Sequence, residues 1–533
     1  MKVGPFGLFV YTIFFYIGKG IYWIAKKIWY FPNMVRLAIA DAAKEDEPDA
    51  AKGIYPPKEL CVSDIDNPSG LIFGRNVYDH QYLVKPENED GHAITVGGTG
   101  SGKSSCRNIP TLVSWKGRFI AFDLKGELVK KTSWARPSFK VYNPLDPETA
   151  GYDPFYLLDK AKNKVQAVRD IVIALIPTPV KQDPVWAEGA QNLLTAGILH
   201  FHNQGLDFAQ TMLAIRSLPL NRLLEEIDKG NCAEAKIYNS QFLDPDGRRM
   251  VTSYYSTMCN AITVFATDHD LRESFNREEM ISPADLERGC DLYIHLPEKM
   301  LKQWQPVLRL IVGQFMSDLE SREESPDNIP ILFSIDEMPR FGKIEAITGL
   351  ATLRSKAVTF DIYIQSNAQL DEIYGEALRK VILDNCDYKC IMRISEPDSQ
   401  DYYSRAVGDY DKDEVSESEN VEGFMQTSAS DKMKKRISRS KRETRIIKPN
   451  VFADLEVPIL LTSKGFMRAI KAPYYENGIF NEKGYSSNKI RQKPIKKEDV
   501  AFEKVLEWLT PRRVLGIAII VTIAIFLIND ARR

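Results

Sequence analysis

The stretch GGTGSGKS, residues 97–104, constrains this chain more than any other. Gly97, Gly102, Lys103 and Ser104 meet the pattern G-x-x-x-x-G-K-[ST]. Such a loop wraps an anion with backbone N–H groups when a strand delivers it and a helix leaves it. The flanking residues supply both: HAITV (92–96) reads as a short apolar strand and SSCRNIPTLVSW (104–115) as a helix facing the loop. The pattern predicts a phosphate cradle from Gly97, Gly98, Thr99, Gly100, Ser101, Gly102, Lys103, Ser104 and Ser105. Lys103 reaches the β- and γ-phosphates of ATP, and the Ser104 hydroxyl holds Mg²⁺.

A phosphate loop that hydrolyses needs acid groups on a neighbouring strand, and PILFSIDE (330–337) ends an apolar run in two. Asp336 fits the acid that supports Mg²⁺, with Ser104 as its companion ligand, and Glu337 the group that orients the attacking water. Further β-rich runs are RFIAFDLKGE, FKVYNPLD, CDLYIHLP, TFDIYIQS and YKCIMRIS. Their alternation with helical stretches predicts an α/β fold with a parallel, doubly wound sheet. Gln365 closes one of these strands, where a γ-phosphate sensor sits; a polar residue capping a strand end is the other reading.

Lys103 and Asp336 stand much further apart than a bare core requires. The excess reads helical through AKNKVQAVRDIVIALI, WAEGAQNLLTAGILHFH, LNRLLEEIDKG and GRRMVTSYYSTMCNAITVF, with turn signals PTPVKQDP and LDPDG between. Apolar residues there recur at three- and four-residue spacing, which predicts an all-helical domain inserted into the α/β core. His200 and His202, two apart, fall on different helix faces and argue against a metal pair. Of seven cysteines only Cys386 and Cys390 lie close, without the second pair a zinc site needs; free thiols in a reducing compartment are expected. Lys+Arg 70 against Asp+Glu 72 leaves a net charge of −2, so any polyanion binding is local. One local feature is the acidic DYDKDEVSESENVE (409–422) followed by the basic KMKKRISRSKRETRIIK (432–448). Apolar-poor blocks of opposite sign read as a flexible excursion, either a solvated loop or a basic lip for nucleic-acid phosphates.

Both ends are oily. Residues 6–25, FGLFVYTIFFYIGKGIYWIA, match the roughly 20 residues of a span, and Lys26, Lys27, Trp29 and Tyr30 form a basic, aromatic flank. No small-x-small cleavage site follows, so an anchor is read in preference to a signal peptide. Residues 514–528, VLGIAIIVTIAIFLI, lie between Arg512–Arg513 and Arg532–Arg533. Fifteen residues rise only about 22 Å as a helix, a gap that snorkelling arginines and thinning close; a buried core element is the alternative. The body between is expected on the positively flanked, cytoplasmic side.

Taken together, GGTGSGKS, FDLKGEL, YNPLD, DPVWAEGAQNLLTAGIL, SIDEMPRFGKIEAI, YIQSNAQLDEIYG and DNCDYKCIMRISEPDSQDYYSRAVG closely resemble the TraG/TraD-type coupling ATPases of conjugation and type IV secretion. The resemblance covers 54–475. It implies a RecA-like core related to FtsK-type DNA pumps and hexameric when working. It also implies an inner-membrane position and delivery of relaxase-bound single-stranded DNA, or protein effectors, to the secretion channel. A chromosome DNA translocase and a nucleotide-gated docking scaffold are the alternative functions. By motif, Lys103, Ser104, Asp336, Glu337 and Gln365 take the roles given above. Arg354 falls where some relatives place an arginine finger for the neighbouring subunit, with Arg393 the fallback. The expected organisation is an anchor (1–31), a split nucleotide-binding domain (32–158 and 281–475, with the charged segment 409–448), an inserted all-α domain (159–280), a linker (476–511) and a C-terminal transmembrane helix (512–533). Relatives usually carry two N-terminal spans around a small periplasmic segment, whereas one is found here.

Overall fold

The computed structural model describes residues 67–76, 80–179, 183–244, 247–344, 349–418, 436–476 and 478–482. The two terminal apolar segments lie outside the described residues. Among those described, no helix is long and apolar enough to cross a membrane.

Eleven strands form one sheet. In chain order its members are β1 Leu71–Asn76, β2 Tyr82–Lys85, β3 His92–Val96, β4 Arg118–Phe122 and β5 Phe139–Tyr142. Two short strands outside it, β6 Gly151–Tyr152 and β7 Met280–Ile281, are followed by β8 Asp291–Ile294, β9 Ile331–Ile335, β10 Val358–Ile364 and β11 Cys386–Ile391. A separate ribbon, β12 Asp409–Ser418 with β13 Arg436–Arg445, precedes β14 Ile459–Thr462 and β15 Gly465–Ile470. Across the sheet the order is β2-β1-β15-β14-β11-β3-β10-β9-β4-β8-β5.

From β11 to β5 every neighbour pair is parallel. The five inner strands, β3, β10, β9, β4 and β8, are buried on both faces, so their runs are almost continuously apolar. Alternate residues feed two cores. Ile94, Ile120, Phe333 and Ile362 face one; Ala93, Phe119, Ala121 and Leu332 face the other, against Ile109 and Leu112 of the helix Ile109–Ser114. The remaining four strands, β14, β15, β1 and β2, pair antiparallel. This wing departs from the expected all-parallel sheet, and the reason is local. β14 and β15 are joined by two residues, Ser463 and Lys464, with Thr462 opposite Gly465 at φ +129, and so short a link permits only a hairpin.

The chain leaves the sheet after β5 and rejoins it at β8. Helices Lys164–Leu175, Val185–Asn203, Phe208–Ser217, Leu220–Lys229, Ala233–Ser240 and Arg248–Thr267 fill the interval. β6 and β7 pair side by side where the excursion departs and returns. The charged stretch expected to be irregular instead contributes an antiparallel ribbon, β12 to β13, in unbroken register from Asp409↔Arg445 to Ser418↔Arg436. An Arg445–Asp409 ion pair at 2.7 Å closes its base. Composition, which is poor in apolar residues, conceals strands that need no core face because they pair only with each other.

Candidate active site

In open α/β sheets, ligands bind beyond the carboxyl ends of the strands, and the polar residues singled out in the sequence gather there. β3 runs into the loop at Gly97, whose N–H donates to Ile364 O (3.1 Å) while the Gly98 N–H donates to Arg393 O (2.7 Å). The loop is thereby tied to the ends of β10 and β11. Gly100 and Gly102 stand at φ +72 and +104, a region that Cβ-bearing residues avoid. A Cβ on Gly102 would lie 3.0 Å from Cys106 Sγ.

The helix that leaves the loop opens with a π-turn, Lys103–Asn108, before the α-helix Ile109–Ser114. Pro110 explains the widening: it has no N–H for the carbonyl four residues back, and its ring crowds that turn. Lys103 Nζ donates to Gly97 O at 2.6 Å and Gly98 O at 3.3 Å. Burial pulls its ammonium below the ordinary lysine range, opposed by the charges of Asp336 and Glu337.

β9 delivers Asp336 and Glu337. Its position in the sheet matters: β10 lies between β3 and β9, so the phosphate loop and the acid pair face each other across one strand, and that strand ends in Gln365. The Gln365 N–H donates to Gln369 Oε1 at 3.0 Å. Asp336 is 7% exposed, and burial, then the neighbouring Glu337 charge, push its carboxyl up to about 6 against the pull of Lys125 and Lys103. A buried carboxylate beside a like charge favours a cation there.

Glu337 is one of only three non-glycine residues at positive φ among those described (φ 51, ψ 49). Such a conformation costs about 1–3 kcal/mol and clusters at functional sites. Two cations flank its carboxylate, Lys125 Nζ at 3.8 Å and Arg340 Nε at 3.1 Å. Lys125 follows β4 in a loop organised by Asp123, whose carboxylate accepts N–H groups from Lys125, Glu127 and Val129 at 3.3, 3.0 and 3.1 Å. Sequence reading missed Lys125 and Arg340. The signal available was FDLKGE, a buried strand that turns polar at its carboxyl end.

Arg354 is not among these groups. It ends the helix Leu350–Arg354 before β10, where its Nη2 donates to Asp387 Oδ2 at 2.6 Å and Asn385 O at 3.1 Å. The seven residues of β10 separate it from the phosphate edge, roughly 20 Å at the usual rise per residue. Arg393 lies on its own phosphate loop, with Nη2 donating to Thr99 O at 3.1 Å.

A parallel sheet with the phosphate loop, an intervening strand and then the acid strand, all reading into one edge, defines a P-loop NTPase core of RecA-like type. The chain belongs to the family described as Type IV secretory system Conjugative DNA transfer, whose model matches residues 44–498. It is 30% identical over 365 residues to Protein VirD4 of Agrobacterium fabrum (strain C58 / ATCC 33970), covering 64% of this chain and 53% of that protein. It is 23% identical over 329 residues to Coupling protein TraD of Escherichia coli (strain K12), covering 60% and 44%. Its fold is similar to that of the plasmid coupling protein TrwB solved in complex with the non-hydrolysable ATP analogue ADPNP, with a TM-score of 0.61 at 15% identity over 80% of this chain and 91% of that one. The chain spans about half the length of the curated relatives it matches.

Proposed function

We propose that this chain is the membrane-anchored ATPase that recruits substrates to a type IV secretion channel and drives them into it. The observation that carries the reading is the convergence of Lys103, Asp336, Glu337 and Gln365 on one edge of the parallel sheet, in a chain of the conjugative transfer family. TrwB has been solved with ADPNP and with ADP and Mg²⁺, which supports ATP and Mg²⁺ as the ligands here.

In this reading the loop 97–105 and Lys103 hold the phosphates, and Ser104 and Asp336 hold Mg²⁺. A Mg²⁺ held by Ser104 and Asp336 would supply positive charge against the phosphates during transfer. Glu337 orients the attacking water and accepts its proton, while Gln365 senses the γ-phosphate. Arg354, turned away from its own loop, serves the nucleotide of the adjacent subunit in a homo-hexamer. Residues 159–280 act as an inserted all-α domain. Residues 6–25 and 514–528 anchor the body to the cytoplasmic face of the inner membrane. The cargo is relaxase-bound single-stranded DNA or a protein effector.

ATP turnover by the full chain in lipid nanodiscs, with and without single-stranded DNA, tests the reading. Lys103→Ala is expected to abolish turnover, and Glu337→Gln to keep nucleotide binding while losing hydrolysis. Wild-type turnover by Glu337→Gln would remove Glu337 from its role. DNA-insensitive turnover would favour protein cargo.

A further inference from the structure

A glutamate that activates water needs its carboxylate free to accept a proton, yet in this fold cations flank both oxygens of Glu337. Lys125 Nζ lies 3.8 Å from Oε1 and Arg340 Nε 3.1 Å from Oε2. Arg340 is itself held from the far side, where its Nη1 donates to Glu298 Oε1 at 2.5 Å, and this bond keeps the Glu298 carboxyl below its usual range. Glu298 stands in the turn Glu298–Met300, just past β8. β8 is the strand by which the chain returns to the sheet from the helical excursion. A run of contacts therefore leads from that returning strand through Glu298 and Arg340 to Glu337, whose backbone is already in a conformation that L residues rarely hold.

We propose that Arg340, set by Glu298 and assisted by Lys125, is a positioning residue that restrains the Glu337 carboxylate from the attacking water, and that hydrolysis requires this contact to be released. The inference rests on the ATPase reading. Arg340 touches no reacting atom; it acts through Glu337. Because Glu298 stands where the excursion rejoins the sheet, movement of the helices would reach the restraint by way of β8.

The experiment uses the full chain in nanodiscs and measures kcat and KM for ATP without DNA and with single-stranded DNA. Glu298→Gln and Arg340→Ala are each expected to raise the DNA-free kcat about fivefold, equal to about 1 kcal/mol, with KM within about twofold. The ratio of DNA-stimulated to DNA-free rate should fall accordingly. Arg340→Lys, which keeps the charge without the planar fork, should fall between wild type and Arg340→Ala. Arg340→Ala combined with Glu337→Gln should be as inactive as Glu337→Gln alone, since the gain must pass through Glu337. An unchanged or lowered kcat in both Glu298→Gln and Arg340→Ala, with cooperative melting retained, overturns the proposal. Glu298→Gln, a change at an exposed carboxylate, supplies the answer should Arg340→Ala not fold. If the wild-type protein binds ATP but does not turn over, the ATPase reading fails and the restraint falls with it. Wild-type turnover with unaltered variants removes the restraint alone.

Discussion

Replacing Asp361 by Asn tests how the phosphate loop is fastened to the sheet. Asp361 lies mid-way along β10, in the strand that leads into Gln365, and its carboxylate accepts from Arg107 Nη2 at 3.1 and 3.4 Å and from the Tyr363 hydroxyl at 2.6 Å. Arg107, in the π-turn just after Lys103, also donates from Nε to Thr95 Oγ1 of β3 at 3.3 Å and stacks 4.2 Å over the Phe73 ring. Both side chains of the pair are fully buried. The Asn change is nearly isosteric, so it leaves a guanidinium in the core without its counter-charge. Breaking a buried pair from one side costs about 3–5 kcal/mol. Arg107 Nη1 already lacks a hydrogen-bond partner, so the guanidinium is only partly satisfied even with Asp361 in place. Denaturant unfolding followed by tryptophan fluorescence should show that loss, with Trp115, fully buried beside the phosphate-loop helix, as a reporter. The double change Arg107→Met with Asp361→Leu removes both charges and should recover most of the stability, because apolar groups of similar volume can replace a buried pair with little loss. A cost below about 1 kcal/mol for Asp361→Asn would refute the argument, as would a double variant less stable than the single one.

Other expectations follow from the same geometry. Because burial raises the Asp336 carboxyl from 3.8 to about 6, the folded state binds its proton more tightly than the unfolded chain. The nucleotide-free protein therefore loses stability as pH rises from about 4 to 6, by about 3 kcal/mol in all. Mg²⁺ needs the ionised form, so Mg²⁺-dependent nucleotide affinity, measured with a fluorescent ATP analogue, should fall about tenfold per pH unit below 6; a flat profile between pH 5 and 7 counts against Asp336 as a ligand. An Arg354→Ala protein mixed with a Lys103→Ala protein, each inactive alone, should recover part of the turnover through hybrid interfaces; a dead mixture that still co-assembles removes Arg354 from the neighbour's site. A periplasm-active reporter fused after Arg533 should be active, and a cytoplasm-only signal would remove the span at 514–528.

The parallel half of the fold is legible because burial on both faces leaves a strong trace. HAITV, RFIAF, ILFSI and VTFDIYI are short apolar runs; the first leads into the glycine loop, and the others into Asp123, Asp336 and Gln365 at the sheet edge. The antiparallel wing leaves a weaker one. LIFGRN and YLVK mix apolar and polar positions over few residues, and the pairing of β1 with β15 depends on residues hundreds of positions away. The ribbon of 409–418 and 436–445 is the extreme case, since its strands pair only with each other and carry no apolar stripe for a period-2 pattern to register.

The site divides along a similar line. Lys103 and Ser104 stand out in the sequence because a loop that wraps phosphate needs its glycines at fixed offsets, and Asp336 and Glu337 because a buried apolar run ends abruptly in two acids. Lys125, Arg340 and Glu298 have no such constraint. They meet because β4, β8 and β9 are neighbours in the sheet, an order that three separate stretches of sequence do not state. Arg354 shows what a single chain leaves open. Its guanidinium is committed to Asp387 and Asn385 at the edge of the sheet opposite the phosphate loop, so within one subunit it has no route to the nucleotide. If it acts in hydrolysis, it does so across an interface, and the ion pair to Asp387 is then the contact that assembly must exchange. Asp387 is half-buried at the start of β11, which also runs alongside the phosphate-loop strand in parallel register from Cys386↔His92 to Ile391↔Val96. An exchange at Asp387 would thus act on one end of a strand whose other end hands Arg393 to the phosphate loop, linking subunit contact to nucleotide grip through β11 itself.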